Sequence, residues 1–395
     1  MDSNKLLKVM VGDLKIGMYV DRLDRPWTET RFMYQGFFIQ SEEVLEELRR
    51  VCRFVFVDAS RDGAARTAAR PAAAGERYPV TQTVEREIAR AKAIHQEATA
   101  AAKTIFTQML QSGRLDVDLA RDTVTPMLES MMRNPNALIW LSRMKQHDSY
   151  IFSHALNTSI WGLAFARHLG LDKDEIYEVG LGCMLFDVGK TQLPITLLLK
   201  PGPLDAEETK LERSHVTASL SILRGMDGIT PRIMELVKHH HERFDGSGYS
   251  QGLKGDAIPV FARIAGIVDT YDALVSFRAY AGERSPHEAI RYLYSLRGTL
   301  FQAELVEKFM QMAGAFPTGS VVELNTGAVG VVLAQNQQRL RPRVALVLDQ
   351  DKRRLDSPAV VDMMFDQPWA DSSHYWIDRC LQDGAYGVQP NQLGI

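Results

Sequence analysis

Histidine residues are concentrated in one part of this 395-residue chain. Seven of the ten histidines fall inside about a quarter of the sequence. Structural histidines are normally scattered, whereas a site for more than one metal ion needs neutral imidazoles and bridging carboxylates from several helices. The clustering therefore favours a metal site. The seven residues are His147, His154, His168, His215, His239, His240 and His241.

The spacing of the candidate ligands matches a bundle of helices. His154, Asp187, His215, His240 and Asp269 are separated by 33, 28, 25 and 29 residues. Each interval accommodates about one helix and one connection, so consecutive helices could each project one ligand into a shared cavity. A single histidine on an apolar helix is more often a packed or surface residue than a ligand. The hypothesis of a metal site therefore rests on the whole pattern.

Two adjacent histidines precede a glycine-rich segment that ends at a tyrosine. Adjacent positions on a helix diverge by about 100°, so His240 and His241 could flank a pair of metal ions. Gly246 and Gly248 follow them, and glycine lets the backbone turn and approach a ligand closely. We expect Gly246, Gly248 and Tyr249 to contribute to substrate binding.

A lysine follows one of the candidate carboxylate ligands by about one helical turn. In the segment 187–190, Asp187 could hold a metal ion while Lys190 binds a phosphate group. A solvated ion pair between the two side chains is the alternative, and these residues alone leave it open.

The elements that must position these residues are predominantly helical. Amphipathic helical patterns broken by glycine, proline and aspartate extend from about residue 115 to 315. Strand-like runs before this body, with a helix after Ser41, predict a small α+β module. After it, a hairpin over 320–333 and a strand over 343–348 are predicted. The predicted organisation is a small α+β domain (1–60), a flexible linker (61–79), a helical connector (80–144), a helical domain with the candidate site (145–316) and a β-containing extension (317–395).

Composition excludes several classes of protein. Apolar residues make up 45% and charged residues 24%, which is typical of globular proteins and not of disordered or collagen-like chains. The formal net charge of −3 provides no electrostatic footprint for a nucleic acid polymer or an anionic membrane. Three scattered cysteines and the lack of a long apolar run predict a cytoplasmic protein without a membrane span.

Several other residues have simpler interpretations. His95, His287 and His374 have no candidate partner nearby in the sequence, and we expect them on the surface. Cys183 lies between apolar residues just before Asp187, so we expect a small buried side chain and not a nucleophile.

The ordered motifs resemble those of the HD-GYP domains, which are cyclic di-GMP phosphodiesterases within the HD superfamily of metal-dependent phosphohydrolases. The similarity covers roughly residues 145 to 315. The segment before the linker also looks like the small N-terminal domain of some bacterial HD-GYP proteins. The resemblance implies a mainly α fold, an HD-type helical bundle with a small N-terminal α+β domain and a short C-terminal β appendage. The matching segments are 154–157, 187–190, 199–215, 240–249 and 262–274.

The resemblance also implies roles for individual residues. Asp187 would bridge two metal ions, Asp187 and Lys190 would be catalytic, and Lys190 and Arg278 would contact the substrate phosphates. The implied cofactor is one or two divalent ions, iron or manganese, which suit histidine and carboxylate ligands. The implied reaction is metal-assisted hydrolysis of cyclic di-GMP to pGpG or GMP. The implied metal ligands are His154, Asp187, His215, His240, His241 and Asp269.

Three positions depart from the pattern of the HD-GYP family. Phe186 replaces the histidine of the His-Asp pair, and a phenyl ring cannot ligate a metal. Ser250 replaces the proline that follows Gly-Tyr. Ala281 stands where a second basic residue usually follows Arg278, so one charge-assisted contact to substrate would be missing.

Two main hypotheses about function follow. The first is a working cyclic di-GMP phosphodiesterase whose metal position near Phe186 is weakened. The second is a degenerate domain that binds cyclic di-GMP or a signalling protein without hydrolysis. Another hydrolysis of the HD superfamily, such as nucleotide dephosphorylation, would not explain the segments 240–249 and 269–278. A helix predicted over 80–112 could pack within the chain or on a partner. If it packs on a partner, that partner could be a second copy of the chain, which would make a homodimer.

Overall fold

The structure is a computed structural model with two compact units, Met1–Arg77 and Tyr78–Ile395. Among the described helices, none combines the length and the apolar character that crossing a bilayer requires. Residues 61–76 of the predicted linker lie outside the described part of the chain. The structure describes residues 6–25, 37–39, 42–58, 77–144, 150–198, 200, 202–276, 284–336, 338–365 and 375–390.

The first unit is the predicted small α+β module. Its antiparallel sheet has the strand order β1-β4-β2-β3, and α1 supplies Leu45 and Leu48 to the core. On β4, Val55 and Val57 are both buried, because alternate residues of a strand face the same side of the sheet. The elements are β1 (Leu6–Met10), β2 (Tyr19–Leu23), β3 (Phe37–Phe38), α1 (Glu42–Val51) and β4 (Phe54–Asp58).

The second unit is built mainly from helices, as the sequence predicts. Short 3-10 helices also occur at Val188–Gln192 and Gly255–Ala257. The α-helices are α2 (Val84–Ser112), α3 (Val117–Arg133), α4 (Pro135–Ser142), α5 (Tyr150–His168), α6 (Lys173–Leu185), α7 (Ile195–Leu198), α8 (Ala206–Arg213), α9 (His215–Leu223), α10 (Pro231–His239), α11 (Val260–Val275), α12 (Pro286–Ser295) and α13 (Ala303–Ala313).

Helices α5 and α6 pack closely because small residues line their contact. A Cβ atom on Gly162 would lie 2.9 Å from the Cys183 Sγ atom, and one on Gly180 would lie 2.5 Å from a Leu163 methyl carbon. Cys183 is buried here, as predicted. The start of α6 is fixed by a capping box, in which Asp172 accepts from the backbone of Glu175 and the Glu175 side chain accepts in return. This pair of helices positions two of the candidate ligands, His154 in α5 and Asp187 just after α6.

Helix α2 packs within its own unit, against α3, α4 and α5. Its Glu87 is buried and accepts hydrogen bonds from Ser130 and Arg133 at 2.8 Å. The prediction of a surface position for His95 is wrong, because this face of α2 is covered and His95 is only 8% exposed. His287 is also partly buried, with Nδ1 2.7 Å from the Ala315 carbonyl oxygen. His374 lies outside the described residues.

The C-terminal part forms a larger sheet than the predicted hairpin and third strand. Five antiparallel strands lie in the order β8-β7-β6-β5-β9, and β5 pairs with β6 as expected. Arg143, at the end of α4, forms an ion pair with Asp383 at 3.2 Å, so the sheet region is tied to the helices. The strands are β5 (Val321–Leu324), β6 (Val329–Ala334), β7 (Arg343–Leu348), β8 (Arg354–Asp362) and β9 (Ile377–Leu381).

Candidate metal centre

Two groups of side chains with metal-ligand chemistry share one aspartate in the helical unit. Within each group, the ligand atoms all lie within 4.8 Å of one another. The shared residue is Asp187, the carboxylate that the resemblance implies as the bridge between two ions. The first group contains Asp187, His215, His240 and His241, and the second contains His154, Asp187 and Asp269. The structure therefore brings together all six side chains that the sequence singled out as candidate ligands.

Each ligand comes from a helix or from the residues next to one. His154 lies in α5, Asp187 follows α6, His215 begins α9, the His240–His241 pair follows α10, and Asp269 lies in α11. The short helices α7 and α8, which lie between Asp187 and His215, supply no ligand to either group, so the prediction of one ligand from each consecutive helix holds only in part.

A close backbone contact fixes the distance between the segment of Asp187 and helix α9. A Cβ atom on Gly189 would lie 2.2 Å from the His215 carbonyl oxygen and 2.5 Å from the Ser219 backbone nitrogen. The Gly189 N–H donates to Ser219 Oγ at 2.8 Å. Only glycine allows this approach, and the approach places His215 Nε2 3.3 Å from Asp187 Oδ1.

Backbone carbonyl groups orient two of the histidines. His215 Nδ1 lies 2.6 Å from the Glu212 carbonyl oxygen, and His240 Nδ1 lies 2.8 Å from the Val237 carbonyl oxygen. A carbonyl oxygen can only accept, so Nδ1 carries the proton in both rings. The Nε2 lone pairs of these rings are then available to a metal ion, which is the usual supporting arrangement around metal-bound histidine.

An aspartate that the sequence analysis missed supports the third histidine. Asp272 Oδ2 lies 2.7 Å from His154 Nδ1, while His154 Nε2 lies 3.2 Å from Asp269 and 3.4 Å from Asp187. Asp272 is three residues after Asp269, so both carboxylates lie on the same face of α11. This spacing was visible in the sequence and could have identified Asp272. Ser276 Oγ donates to the same carboxylate at 3.2 Å.

The charges around His154 are arranged to favour a cation. Burial lowers the pKa of His154, but the nearby carboxylates of Asp187, Asp269 and Asp272 outweigh burial and raise the pKa to about 10. Burial raises the pKa of Asp187, but Lys190 and neighbouring histidines hold it well below its ordinary value. The Asp269 carboxyl pKa is also lowered, against its burial, by His154 and His241. These carboxylates therefore stay ionised in a buried site that needs positive charge.

The other three histidines are neutral. Burial lowers the pKa of His215, His240 and His241. A neutral imidazole is the form that ligates metals. In addition, His240 Nε2 and Asp187 Oδ1 are buried and have no hydrogen-bond partner among the described residues. Buried polar atoms of this kind are rare, and a bound divalent ion satisfies both, so the residues fit a metal.

Lys190 contacts the shared carboxylate. Its Nζ atom lies 2.5 Å from Asp187 Oδ2, and the side chain is largely buried. Burial lowers the pKa of Lys190, but Asp187 and Asp269 outweigh it and raise the pKa above its ordinary value. The lysine is therefore a fixed positive charge beside the ligand groups.

Phe186 is fully buried between two of the candidate ligands. Its ring is stacked on His240, with the centroids 4.6 Å apart, and it meets His154 edge to face at 5.9 Å. The phenyl ring therefore contacts residues of both ligand groups and supplies no ligand atom to either.

The glycine-rich loop lies against the first ligand group. Buried Glu242 accepts hydrogen bonds from the backbone of Gln251 at 2.7 Å and Leu253 at 2.9 Å, which closes the loop. A Cβ atom on Gly248 would lie 2.3 Å from the Arg243 backbone nitrogen, so this close passage of the chain requires glycine. The Tyr249 ring stacks on His241, with 4.6 Å between centroids.

The remaining predicted residues have different outcomes. Gly246 has a positive φ of 87° in the same loop. His239 faces Glu235, at 3.2 Å, and is not part of either ligand group. His168 also lies outside both groups. Arg278, His147 and Ala281 lie outside the described residues.

Three family models match consecutive parts of the chain. An HD domain model matches residues 133–305, which contain the whole ligand cluster. A model described as a domain of unknown function (DUF3391) matches residues 6–120. A model described as a KOW domain associated with HD domain matches residues 321–382, which contain the C-terminal sheet.

The chain is similar to one curated protein along most of its length and to another over a smaller part. It is 32% identical over 370 residues to the cyclic di-GMP phosphodiesterase PA4108 of Pseudomonas aeruginosa, covering 91% of this chain and 89% of that protein. It is 37% identical to the cyclic di-GMP phosphodiesterase response regulator RpfG of Xanthomonas campestris pv. campestris, covering 39% of this chain and 43% of that protein. A solved structure of Bd1817, an HDG"Y"P protein from Bdellovibrio bacteriovorus, is 17% identical with a TM-score of 0.47, covering 77% of this chain and 98% of that one.

Proposed function

This chain belongs to the HD-GYP family of HD-domain hydrolases, and on that premise we propose that it hydrolyses cyclic di-GMP with a metal centre of two unequal halves. The observation that carries the proposal is the convergence of two ligand groups on Asp187. The relatives PA4108 and RpfG, both named as cyclic di-GMP phosphodiesterases, support the choice of substrate.

The two halves differ in the number of ligands that the chain offers. His215, His240 and His241 would hold one divalent ion together with Asp187, and His154 and Asp269 would hold the other with the same aspartate. Iron and manganese suit this mixture of imidazole and carboxylate. When bound, such ions supply Lewis-acid polarisation of a phosphoryl oxygen and a water molecule that ionises near neutral pH. The half with fewer ligands is the one expected to bind its metal weakly.

The residues of the chain then perform three tasks. Asp272 and the carbonyl groups of Glu212 and Val237 hold three imidazoles in one tautomer and one orientation. Lys190 keeps its proton because the carboxylates raise its pKa, so its ammonium group can stabilise the negative charge that develops on the phosphoryl oxygens. Loop residues Gly248 and Tyr249 lie against the cluster and form one wall for the nucleotide. We propose pGpG as the first product and GMP as the product of a second cleavage.

A non-catalytic cyclic di-GMP sensor is the second candidate function. The observation in its favour is Phe186, which is buried in contact with His154 and His240 and supplies no ligand atom. A centre with one poorly held metal could bind a nucleotide without turning it over.

The decisive experiment measures metal content and hydrolysis on the same sample. The full-length chain is prepared with iron under anaerobic conditions and with manganese in air, and each preparation is given cyclic di-GMP. The proposal expects bound metal, and it expects pGpG or GMP to form in the native protein. Asp187→Ala is expected to remove both metal and activity, because this carboxylate belongs to both ligand groups. Tight nucleotide binding by a metal-loaded native protein without product would support the sensor instead.

A further inference from the structure

An exposed arginine lies against the tyrosine of the glycine-rich loop. Arg213 is the last residue of α8, two positions before His215. Its guanidinium carbon lies 4.6 Å from the centroid of the Tyr249 ring. The same ring stacks on His241, also with 4.6 Å between centroids. Tyr249 therefore connects the cation of Arg213 to a ligand of the metal centre.

Three other cations of the helical unit are engaged by groups of the chain. Lys190 is paired with Asp187, and Lys200 is paired with Glu208. The guanidinium of Arg243 is mostly buried and donates to the His240 carbonyl oxygen at 3.2 Å.

Arg213 differs from these cations. In the described part of the chain, no carboxylate oxygen lies within 4.0 Å of it and no side-chain hydrogen bond from it is formed. The neighbouring Glu212 directs its carboxylate towards His215 Nδ1, at 3.6 Å. The guanidinium of Arg213 is thus exposed to solvent, and contact with an aromatic face restrains it. Its hydrogen-bond donors remain available to a ligand.

We propose that Arg213 binds the phosphate of the cyclic dinucleotide that is not being cleaved. A guanidinium group presents a planar fork of donors that matches phosphate oxygens, and arginine is the residue of choice for this contact. The phosphate under attack would bind at the ligand groups and Lys190, whereas Arg213 contacts the ring of Tyr249 at the edge of the ligand cluster. A substrate with two phosphates can occupy both positions. This inference rests on the proposed function, because it assigns a residue to the same substrate.

The alternative role for Arg213 is to stabilise the loop through its contact with Tyr249. A structural role of this kind would affect every substrate, whereas a contact to the second phosphate affects only substrates that have one. Bis(p-nitrophenyl) phosphate has a single phosphodiester, so comparison of the two substrates separates the roles.

The test compares the manganese-loaded full-length protein with its Arg213→Gln variant. We expect the KM for cyclic di-GMP to rise about tenfold with kcat within about twofold, since one charge-assisted contact is lost. We expect kcat/KM for bis(p-nitrophenyl) phosphate to be unchanged. Arg213→Lys keeps the charge and loses the planar fork of donors, so its KM for cyclic di-GMP should lie between those of the native protein and Arg213→Gln. Arg224→Gln removes another exposed arginine, just beyond α9, and should have no effect on either substrate.

Two results would overturn the inference about Arg213. An equal loss on both substrates would assign it a structural role in the loop, and an unchanged KM for cyclic di-GMP would assign it no role in binding. The affinity for cyclic di-GMP, measured by calorimetry, separates this inference from the proposed function. If the native protein binds the nucleotide without hydrolysis, the phosphodiesterase proposal fails, yet Arg213→Gln should still weaken binding about tenfold. If the native protein does not bind cyclic di-GMP, both proposals fail.

Discussion

The ring of Phe186 stacks on the imidazole of His240, with centroids 4.6 Å apart and planes inclined by 27°. A histidine at this position would place its ring nitrogens beside His154 and His240, the two candidate ligands that the phenyl ring contacts. The contact also stabilises the position of His240, because a buried aromatic ring fills the space beside it. Phe186 therefore supplies packing at a position where the resemblance to the HD-GYP domains implies a ligand.

Replacement of Phe186 by histidine should strengthen the half of the centre that we propose to bind metal weakly. We expect Phe186→His to increase bound metal and to lower the metal concentration needed for hydrolysis by about 10- to 100-fold. Metal content by mass spectrometry and activity as a function of added manganese are the measurements. Phe186→Leu is the matched control, because it removes the ring without adding a ligand, and it should not raise metal content. Full metal loading of Phe186→His without any gain in hydrolysis would contradict the enzyme hypothesis and favour the sensor.

The support that Asp272 gives to His154 should be measurable in metal affinity. Asp272→Ala removes the carboxylate that holds the His154 Nδ1 proton, and we expect metal affinity to fall by about 10- to 100-fold. Asp272→Asn retains an oxygen acceptor without the charge and should lose less. Calorimetric titration of the metal-stripped native protein and variants with manganese measures the metal affinities and tests whether they fall in this order: native, Asp272→Asn, Asp272→Ala. Equal affinity in the native protein and both variants would show that Asp272 has no influence on the centre.

The backbone contact at Gly189 should tolerate no side chain. Gly189→Ala would place a methyl group 2.2 Å from the His215 carbonyl oxygen, so the segment of Asp187 must move away from α9. We expect a loss of about 1–3 kcal/mol in unfolding free energy, as for other overpacked positions, together with reduced metal content. Gly12→Ala is the control in the other unit, because a Cβ atom there meets nothing within 4 Å. Normal stability and metal content in Gly189→Ala would contradict this account of the contact.

The sequence could identify five of the six candidate ligands because they follow one another at intervals of about one helix and one connection, and it offered His241 because that residue is adjacent to His240. The spacing of Asp269 and Asp272 indicated a shared face of α11, but the contact of Asp272 with His154 could not be predicted, because only the packing of α11 on α5 brings the two residues together. The contact of Phe186 with two candidate ligand histidines also depends on packing, whereas the prediction that this position supplies no ligand came from the resemblance and the residue type. The fold class followed from patterning, whereas the extent of the C-terminal sheet did not, because its last strand pairs with β5 across a long separation.

The burial of His95 illustrates the same difficulty and leads to a prediction about pH. Helix α2 has many alanines and charged residues, and its sequence does not reveal which face is covered by α3, α4 and α5. Burial lowers the pKa of His95 to about 4, from an ordinary value of 6.5. The folded protein therefore keeps this imidazole neutral at a pH at which the unfolded chain has already protonated it.

The sign of the effect follows from proton linkage. Above pH 6.5, His95 is neutral in both states and contributes no pH dependence. Between pH 6.5 and about 4, the unfolded chain binds a proton that the folded chain does not, so stability falls as the pH decreases. The slope for one such group is about 1.4 kcal/mol per pH unit, and the total reaches about 3 kcal/mol.

We expect His95→Gln, which cannot titrate, to flatten the dependence of unfolding free energy on pH by this amount in that window. Urea unfolding at pH 4.5, 5.5, 6.5 and 7.5 is the measurement, and the difference between the two proteins should be constant above pH 6.5. Parallel curves for native and variant proteins over the whole range would show that His95 titrates normally in the folded state.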